Sequence, residues 1–172
     1  MKVSEFKASL KMLKKEELIK HLASLYQHFD NVKDYFISTL NPEEEINIQA
    51  KYKATIQHEF FPKRGHGKLR LSIAKKAISD FKKISDSSEL ICDLMLFYVE
   101  QGVEFTNEYG DINEQFYISM EDMYERVLKF MKKNDMLKGF KNRCYQVVED
   151  TDGIGWGFHD TLADLYYEYF ET

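Results

Sequence analysis

Apolar residues recur at three- and four-residue steps along almost the whole chain, and no stretch alternates long enough to make a strand. Ser4 is placed to cap a short first helix running to Leu13. A second, from about Lys15 to Phe29, carries Leu18, Leu22, Leu25 and Phe29 on one stripe. Asn31 is a cap for a third, with Val32, Tyr35 and Phe36 facing inward, and it ends before Pro42. The next segment, Glu43 to Phe60, opens with three glutamates at the positive end of its dipole and stops at Pro62. After a glycine-containing connection, Leu69 to Ile84 repeats Ala74, Ala77, Ile78 and Phe81.

The segment opened by Ser87 or Ser88 is the most informative. Ile91, Leu94, Tyr98, Gly102, Phe105 and Tyr109 form one face, while Leu90, Phe97 and Val99 make other sides apolar too. A helix apolar nearly all round belongs at the centre of a fold, so Leu94 and Tyr98 are expected to be almost inaccessible. Asp111-x-x-Glu114 reads as a capping box for the following helix, whose inward residues are Phe116, Met120, Tyr124, Val127 and Met131. Asn134-Asp135 breaks it. Leu137, Phe140, Cys144, Val147 and Val148 mark another stripe, and Phe158, Leu162, Leu165 and Tyr169 the last one. The pattern predicts an all-α protein of about eight helices in antiparallel hairpins packed in two layers, forming one compact domain over residues 1–172.

Composition narrows this further. With 44% apolar residues, 13 Phe and 11 Tyr, the 172-residue chain has material for a core and does not read as disordered. Cys92 and Cys144 sit inside apolar stripes and read as small core hydrophobes; two cysteines without a CxxC spacing make no zinc pattern. The longest unbroken apolar run is Leu94 to Val99, six residues, against roughly 20 for a membrane span. Residues 1–7 hold no apolar run of the signal-peptide kind, so the expected location is the cytoplasm.

Charge changes the picture more, because it comes in blocks. Residues 63–83 hold eight Lys/Arg and one acid, while 86–125 hold eleven acids and no Lys or Arg. Residues 126–143 return to seven basic against one acidic, and 149–171 carry seven acids without Lys or Arg. Neighbouring helices thus tend to oppose in sign. Exposed pairs of this kind are worth roughly 0.2–1 kcal/mol each, enough to guide register.

Familiar catalytic and metal constellations are incomplete. No Glu is followed three residues later by His, as a di-iron bundle requires. His21 and His28 share a helix face but are separated by about 10 Å along the axis, too far for one metal. Asp150-Thr151-Asp152-Gly153 opens like a calcium loop, yet Ile154 and Thr161 stand where oxygen ligands, including a bidentate Glu, belong. The Gly153-x-Gly155-x-Gly157 run reads instead as a corner from which Trp156 packs back onto the core. Ser72-x-x-Lys75 and Ser79-x-x-Lys82 both match the acyl-enzyme Ser-x-x-Lys, but Ser-Asp-Asn and Lys-Thr-Gly are missing. The sequence therefore assigns no catalytic residue, no metal ligand and no cofactor.

One basic connection remains. Lys63, Arg64, His66, Lys68 and Arg70 surround two glycines and enter a helix. Lys68 and Arg70 lie near its N-terminus, where the dipole disfavours cations. A bound anion would relieve that arrangement; so would a carboxylate from the 86–125 block. Phe60, Phe61 and Pro62 are expected to anchor one end of the connection and Leu69 and Ile73 the other.

The order Leu18...Leu25-Tyr26, Val32-Lys33-Asp34-Tyr35, Asn41-Pro42, Phe60-Phe61-Pro62, Asp93-Leu94-Met95-Leu96 and Phe116-Tyr117-x-Ser119-Met120 resembles a family of small bacterial proteins catalogued as a domain of unknown function. The resemblance spans nearly the whole chain. It implies a bacterial, cytoplasmic protein and carries no activity with it. The first two helices, with Lys14-Lys15-Glu16-Glu17-Leu18-Ile19, are also similar to a small helix-extended-helix DNA-binding motif, but lack its glycine-containing connector. Aromatic richness and opposed charge blocks favour a helical interaction module without catalytic activity, acting on another protein or on itself. The alternative is a binder of an anion, a small phosphate or carboxylate, through the basic segment 63–76. The net charge of −5 argues against a broad nucleic-acid footprint.

Overall fold

The structure, a computed structural model, describes residues 1–171. Among these residues it is all-helical, with nine α-helices, one 3-10 turn and no strand. The chain divides into two compact units, Met1–Glu45 and the remainder from Ile46.

The first unit holds α1 (Val3–Lys11), α2 (Lys15–His28), α3 (Asp30–Leu40) and the 3-10 turn Pro42–Glu44. Acids in the first turns, and not Ser4, close the first two helices. A Glu5 carboxylate oxygen accepts the Lys2 N–H at 2.9 Å, and one from Glu17 accepts the Lys14 N–H at 2.8 Å. One extended residue, Phe29, separates α2 from α3, and these two helices pack together as a hairpin. Neither α1 nor α2 buries a single residue. The buried residues of α3 are Asp34 and Ser38, while Tyr35 stays exposed. Of the stripes expected to face a core here, Leu18, Val32 and Phe36 are half-buried and Leu22, Leu25, Phe29 and Tyr35 exposed.

The second unit is built on α4 (Glu45–Phe60), α5 (Leu71–Phe81), α6 (Ser88–Tyr109), α7 (Glu114–Lys133), α8 (Leu137–Glu149) and α9 (Phe158–Phe170). Helix α6 is its centre and packs on α5, α7 and α8. Twelve of its 22 residues are buried, spread round the helix, and Leu94 and Tyr98 have no exposed surface at all. Helix α7 comes close because Gly102 offers no side chain: a Cβ there would lie 2.2 Å from the Met120 sulfur. Ser87 Oγ accepts the Leu90 N–H and caps α6. Asn113, not Asp111, caps α7, its side-chain oxygen accepting the Phe116 N–H at 3.0 Å; Asp111 instead accepts the Tyr117 hydroxyl.

Two aromatic placements differ from the periodicity. On α9 Phe158 and Leu162 are buried as expected, but the second buried ring is Tyr166, one turn before the end, and not Tyr169. Trp156 is 60% exposed and stacks against Tyr117 from outside, its backbone held at φ +65° between two glycines. The corner thus turns the indole outward. Among the described residues no helix is long and apolar enough to cross a membrane.

Candidate functional site

The basic connection between α4 and α5 is laced back onto the helix it leaves. Gly67 passes so near the last turn of α4 that a Cβ would meet the Phe60 carbonyl oxygen at 2.2 Å. Leu69 adopts φ +49° and donates its N–H to the Glu59 carbonyl at 3.0 Å. Arg70 then makes a two-pronged bond to the Glu59 carboxylate, Nε to Oε2 at 2.9 Å and Nη2 to Oε1 at 2.7 Å. Glu59 is buried while Arg70 is half exposed, a geometry in which the forked guanidinium matches both carboxylate oxygens. The Arg70 hydrogen bond holds the Glu59 carboxyl below its ordinary value.

The counter-charge for Arg70 therefore comes from α4, eleven residues earlier, and not from the 86–125 block. Lys63, Arg64, His66 and Lys68 all point to solvent. Lys63 and Arg64 line an open groove of about 640 Å³ along α4 with Thr55, Gln57 and His58, whereas His66 sits edge-on to Tyr109 at 6.2 Å. Phe60 is fully buried and Phe61 packs on Phe105 and Tyr109, as an anchor should. At the other end Leu69 is half-buried and Ile73 is 36% exposed, so neither is sunk in the core as Phe60 is.

The Arg70–Glu59 pair makes a pH-dependent contribution of known sign. A carboxyl whose folded pKa lies below its unfolded one stabilises the fold above the unfolded pKa, and that stabilisation is lost as pH falls through the folded value. Arg70→Ala is expected to melt several degrees below the wild type at pH 7, with the gap closing below about pH 4 as Glu59 protonates in both proteins. Thermal melts at the two pH values check it; an unchanged gap at low pH would mean that the lost packing of Arg70, not its charge, matters.

A second surface lies in the first unit. Ile19, Leu22, Ala23 and Tyr26 of α2 face Phe36, Ile37 and Leu40 of α3 across a groove of about 340 Å³ that ends at Asn41. Leu22 is 47% and Leu40 72% exposed. Burial of apolar area is worth about 25 cal/mol per Å², so this lining is a standing reserve of binding free energy. Apart from Asn41 and the Tyr26 hydroxyl its lining is apolar.

Two further polar knots inside the second unit tie helices together. Asp93 of α6 takes hydrogen bonds from Gln49 (2.6 Å), from Lys53 (2.6 Å) and from Arg143 of α8, which also forks onto Glu100 at 2.6 and 2.7 Å. Burial alone would raise the Asp93 carboxyl, but the bonds from Lys53 and Arg143 together hold it below its ordinary value. This joins the acidic 86–125 block to the basic 126–143 block, as their opposed signs imply. In the other knot, Lys75 Nζ donates to Ser119 Oγ at 3.1 Å, and Ser119 shares a 2.9 Å hydrogen bond with the buried Tyr98 hydroxyl. Burial pushes the Tyr98 phenol up to about 12.

Lys, Ser and Tyr are residue types found in acyl-transfer sites, and their distances in sequence gave no sign of this meeting. Neither Ser119 nor Tyr98 lines any of the grooves described here, and both are buried. The trio satisfies polar groups between α5, α6 and α7. Among the described residues no three His, Cys, Asp or Glu side chains gather as metal ligands.

No curated protein and no solved structure matches the chain. The model of the family of unknown function DUF6155 matches residues 1–171, and the resemblance carried by the corner and packing motifs is thereby made definite: the chain belongs to that family.

Proposed function

We propose that the protein is a helical interaction module, without a catalytic step of its own, that receives an amphipathic helix in the α2–α3 groove. The observation that carries this reading is the first unit's unspent amphipathicity. Helices α1 and α2 have apolar stripes at helical spacing, yet bury no residue. A monomer gains nothing by keeping such stripes wet, whereas a helix laid into the groove buries both sides, anchored at i, i+3 or i+4 and i+7. In this reading the protein works in a bacterial cytoplasm, where free cysteines such as Cys92 and Cys144 stay reduced.

The alternative, an anion held by the basic segment, has less to stand on. Arg70 is engaged by Glu59, and of the remaining side chains Lys63 and Arg64 share a groove while His66 turns to Tyr109.

The deciding experiment pairs Leu22→Asp with Leu40→Asp in a tagged protein expressed in its native cell. Both side chains are already exposed, so the melting temperature should move little, within the range of roughly ±0.5 kcal/mol usual for surface changes. Chains that co-purify with the wild type, further copies of this chain included, should be lost. Recovery of the same set in the same amounts would overturn the reading.

A further inference from the structure

Resting on the interaction-module reading, we infer that the occupant of the α2–α3 groove is α1 of a second copy of this chain, the two copies exchanging their first helices reciprocally. Helix α1 is the one other element of the first unit whose apolar face lacks a cover. Val3, Phe6 and Leu10 stand at i, i+3 and i+7, with Val3 71% exposed, and none of its residues is buried. Nine residues make a rod about 13 Å long, two and a half turns, enough to set three anchors into a groove. Ile19, Leu22 and Tyr26 on one wall and Phe36, Ile37 and Leu40 on the other would receive them.

Charge argues for this occupant over an arbitrary helix. Residues 2–14 hold four lysines, Lys2, Lys7, Lys11 and Lys14, against the single acid Glu5. Residues 30–45, which form the second wall and its end, expose Asp30, Glu43 and Glu44 against the single base Lys33, Asp34 being buried. A basic amphipathic helix thus meets an acidic rim, the arrangement that favours encounter and fixes register. One buried carboxylate oxygen of Glu45, just past the groove's end, has no hydrogen-bond partner. Reciprocal exchange makes the contact isologous, so it closes at two copies and does not run on into a filament.

The test uses the full chain. Sedimentation over a dilution series should give twice the 20.4 kDa chain mass for the wild type, and single mass for Phe6→Asp and for Leu40→Asp. In a second arm, Phe6→Cys and Leu40→Cys proteins are mixed under mild oxidation. The native Cys92 and Cys144 have no exposed surface, so a cross-linked dimer in the mixture, weak or absent in either variant alone, reports α1 of one copy in the groove of another. The double variant Phe6→Cys/Leu40→Cys should also cross-link between chains.

A single-mass wild type at every concentration overturns the inference. So does a dimer that ignores both Asp variants, or a double variant that closes within one chain, which would mean that α1 covers its own groove. Recruitment of single-mass protein to phosphatidylserine vesicles, abolished by Phe6→Asp, would overturn it in favour of a membrane surface. The fate of the underlying reading is separate: a single-mass chain whose other captured partners still vanish with Leu22→Asp and Leu40→Asp loses the second copy and keeps the interaction module.

Discussion

Phe60→Ala is expected to be the most damaging single truncation in the protein, costing about 3–5 kcal/mol. The ring has no exposed surface and stands edge-on to Tyr98, Phe105 and Phe116 at centroid distances of 5.7, 6.3 and 6.5 Å. Edge-to-face pairs add roughly 0.5–1.5 kcal/mol beyond area burial, and three rings cannot all collapse into the space one ring leaves. In a chain of this length each kcal/mol lowers Tm by about 2–4 °C. The loss should also have a local signature. Phe60 supplies the carbonyl against which Gly67 is pressed, and the next connection is tied to Glu59, so amides of residues 61–70 should exchange faster than the global destabilisation explains. Urea titration and hydrogen exchange together check this; a cost below about 1 kcal/mol would show that the aromatic cluster repacks, an outcome outside the usual range for a buried Phe.

The second large effect is Leu94→Ala, expected at about 2–5 kcal/mol, the spread set by how far the site can collapse. Leu94 lies on the helix that packs on α5, α7 and α8 and is fully buried. Collapse is resisted because α6 and α7 are already at contact distance through Gly102 and Met120, so the upper half of the range is the expectation. The chevron should show the loss chiefly where α6 contacts form. A loss under about 0.5 kcal/mol, the size of a surface change, would make α6 peripheral.

How much of this was legible in the sequence differs between the two units for one physical reason. Periodicity reports that a helix has an apolar face, not what covers it. For α6, apolar on nearly every side, no ambiguity exists: such a helix has nowhere to go but the middle, and Leu94 and Tyr98 lie where the pattern put them. For α2 the same kind of stripe, Leu18, Leu22, Leu25 and Phe29, predicted a core face, and the structure leaves it without a buried residue. In α3 the buried positions are Asp34 and Ser38, polar residues that no hydropathy argument selects.

The basic connection was legible in composition and not in pairing. A carboxylate in the last turn of a helix opposes the dipole there, and Glu59 occupies such a position on α4. That local misfit was the available sign that Glu59 awaits a cation, and it mirrors the misfit of Arg70 at the start of α5: each relieves the other. The Lys75–Ser119–Tyr98 knot left no comparable trace, since its members lie 44 and 21 positions apart on three helices. Contacts of that kind are set by the relative rotation of packed helices, which no single segment encodes.

The two free cysteines turn the second unit into its own clock. Both lie in its interior without exposed surface, and burial pushes the Cys92 thiol up to about 11 and that of Cys144 up to about 12, so the reactive thiolate is scarce at neutral pH as well as enclosed. Cys92 sits on the central helix and Cys144 on α8, behind Met131 of α7. A thiol reagent added in excess is consumed at each only as fast as the helices around it part, and the ratio of the two rates distinguishes a unit that opens as a whole from one whose eighth helix lifts away first.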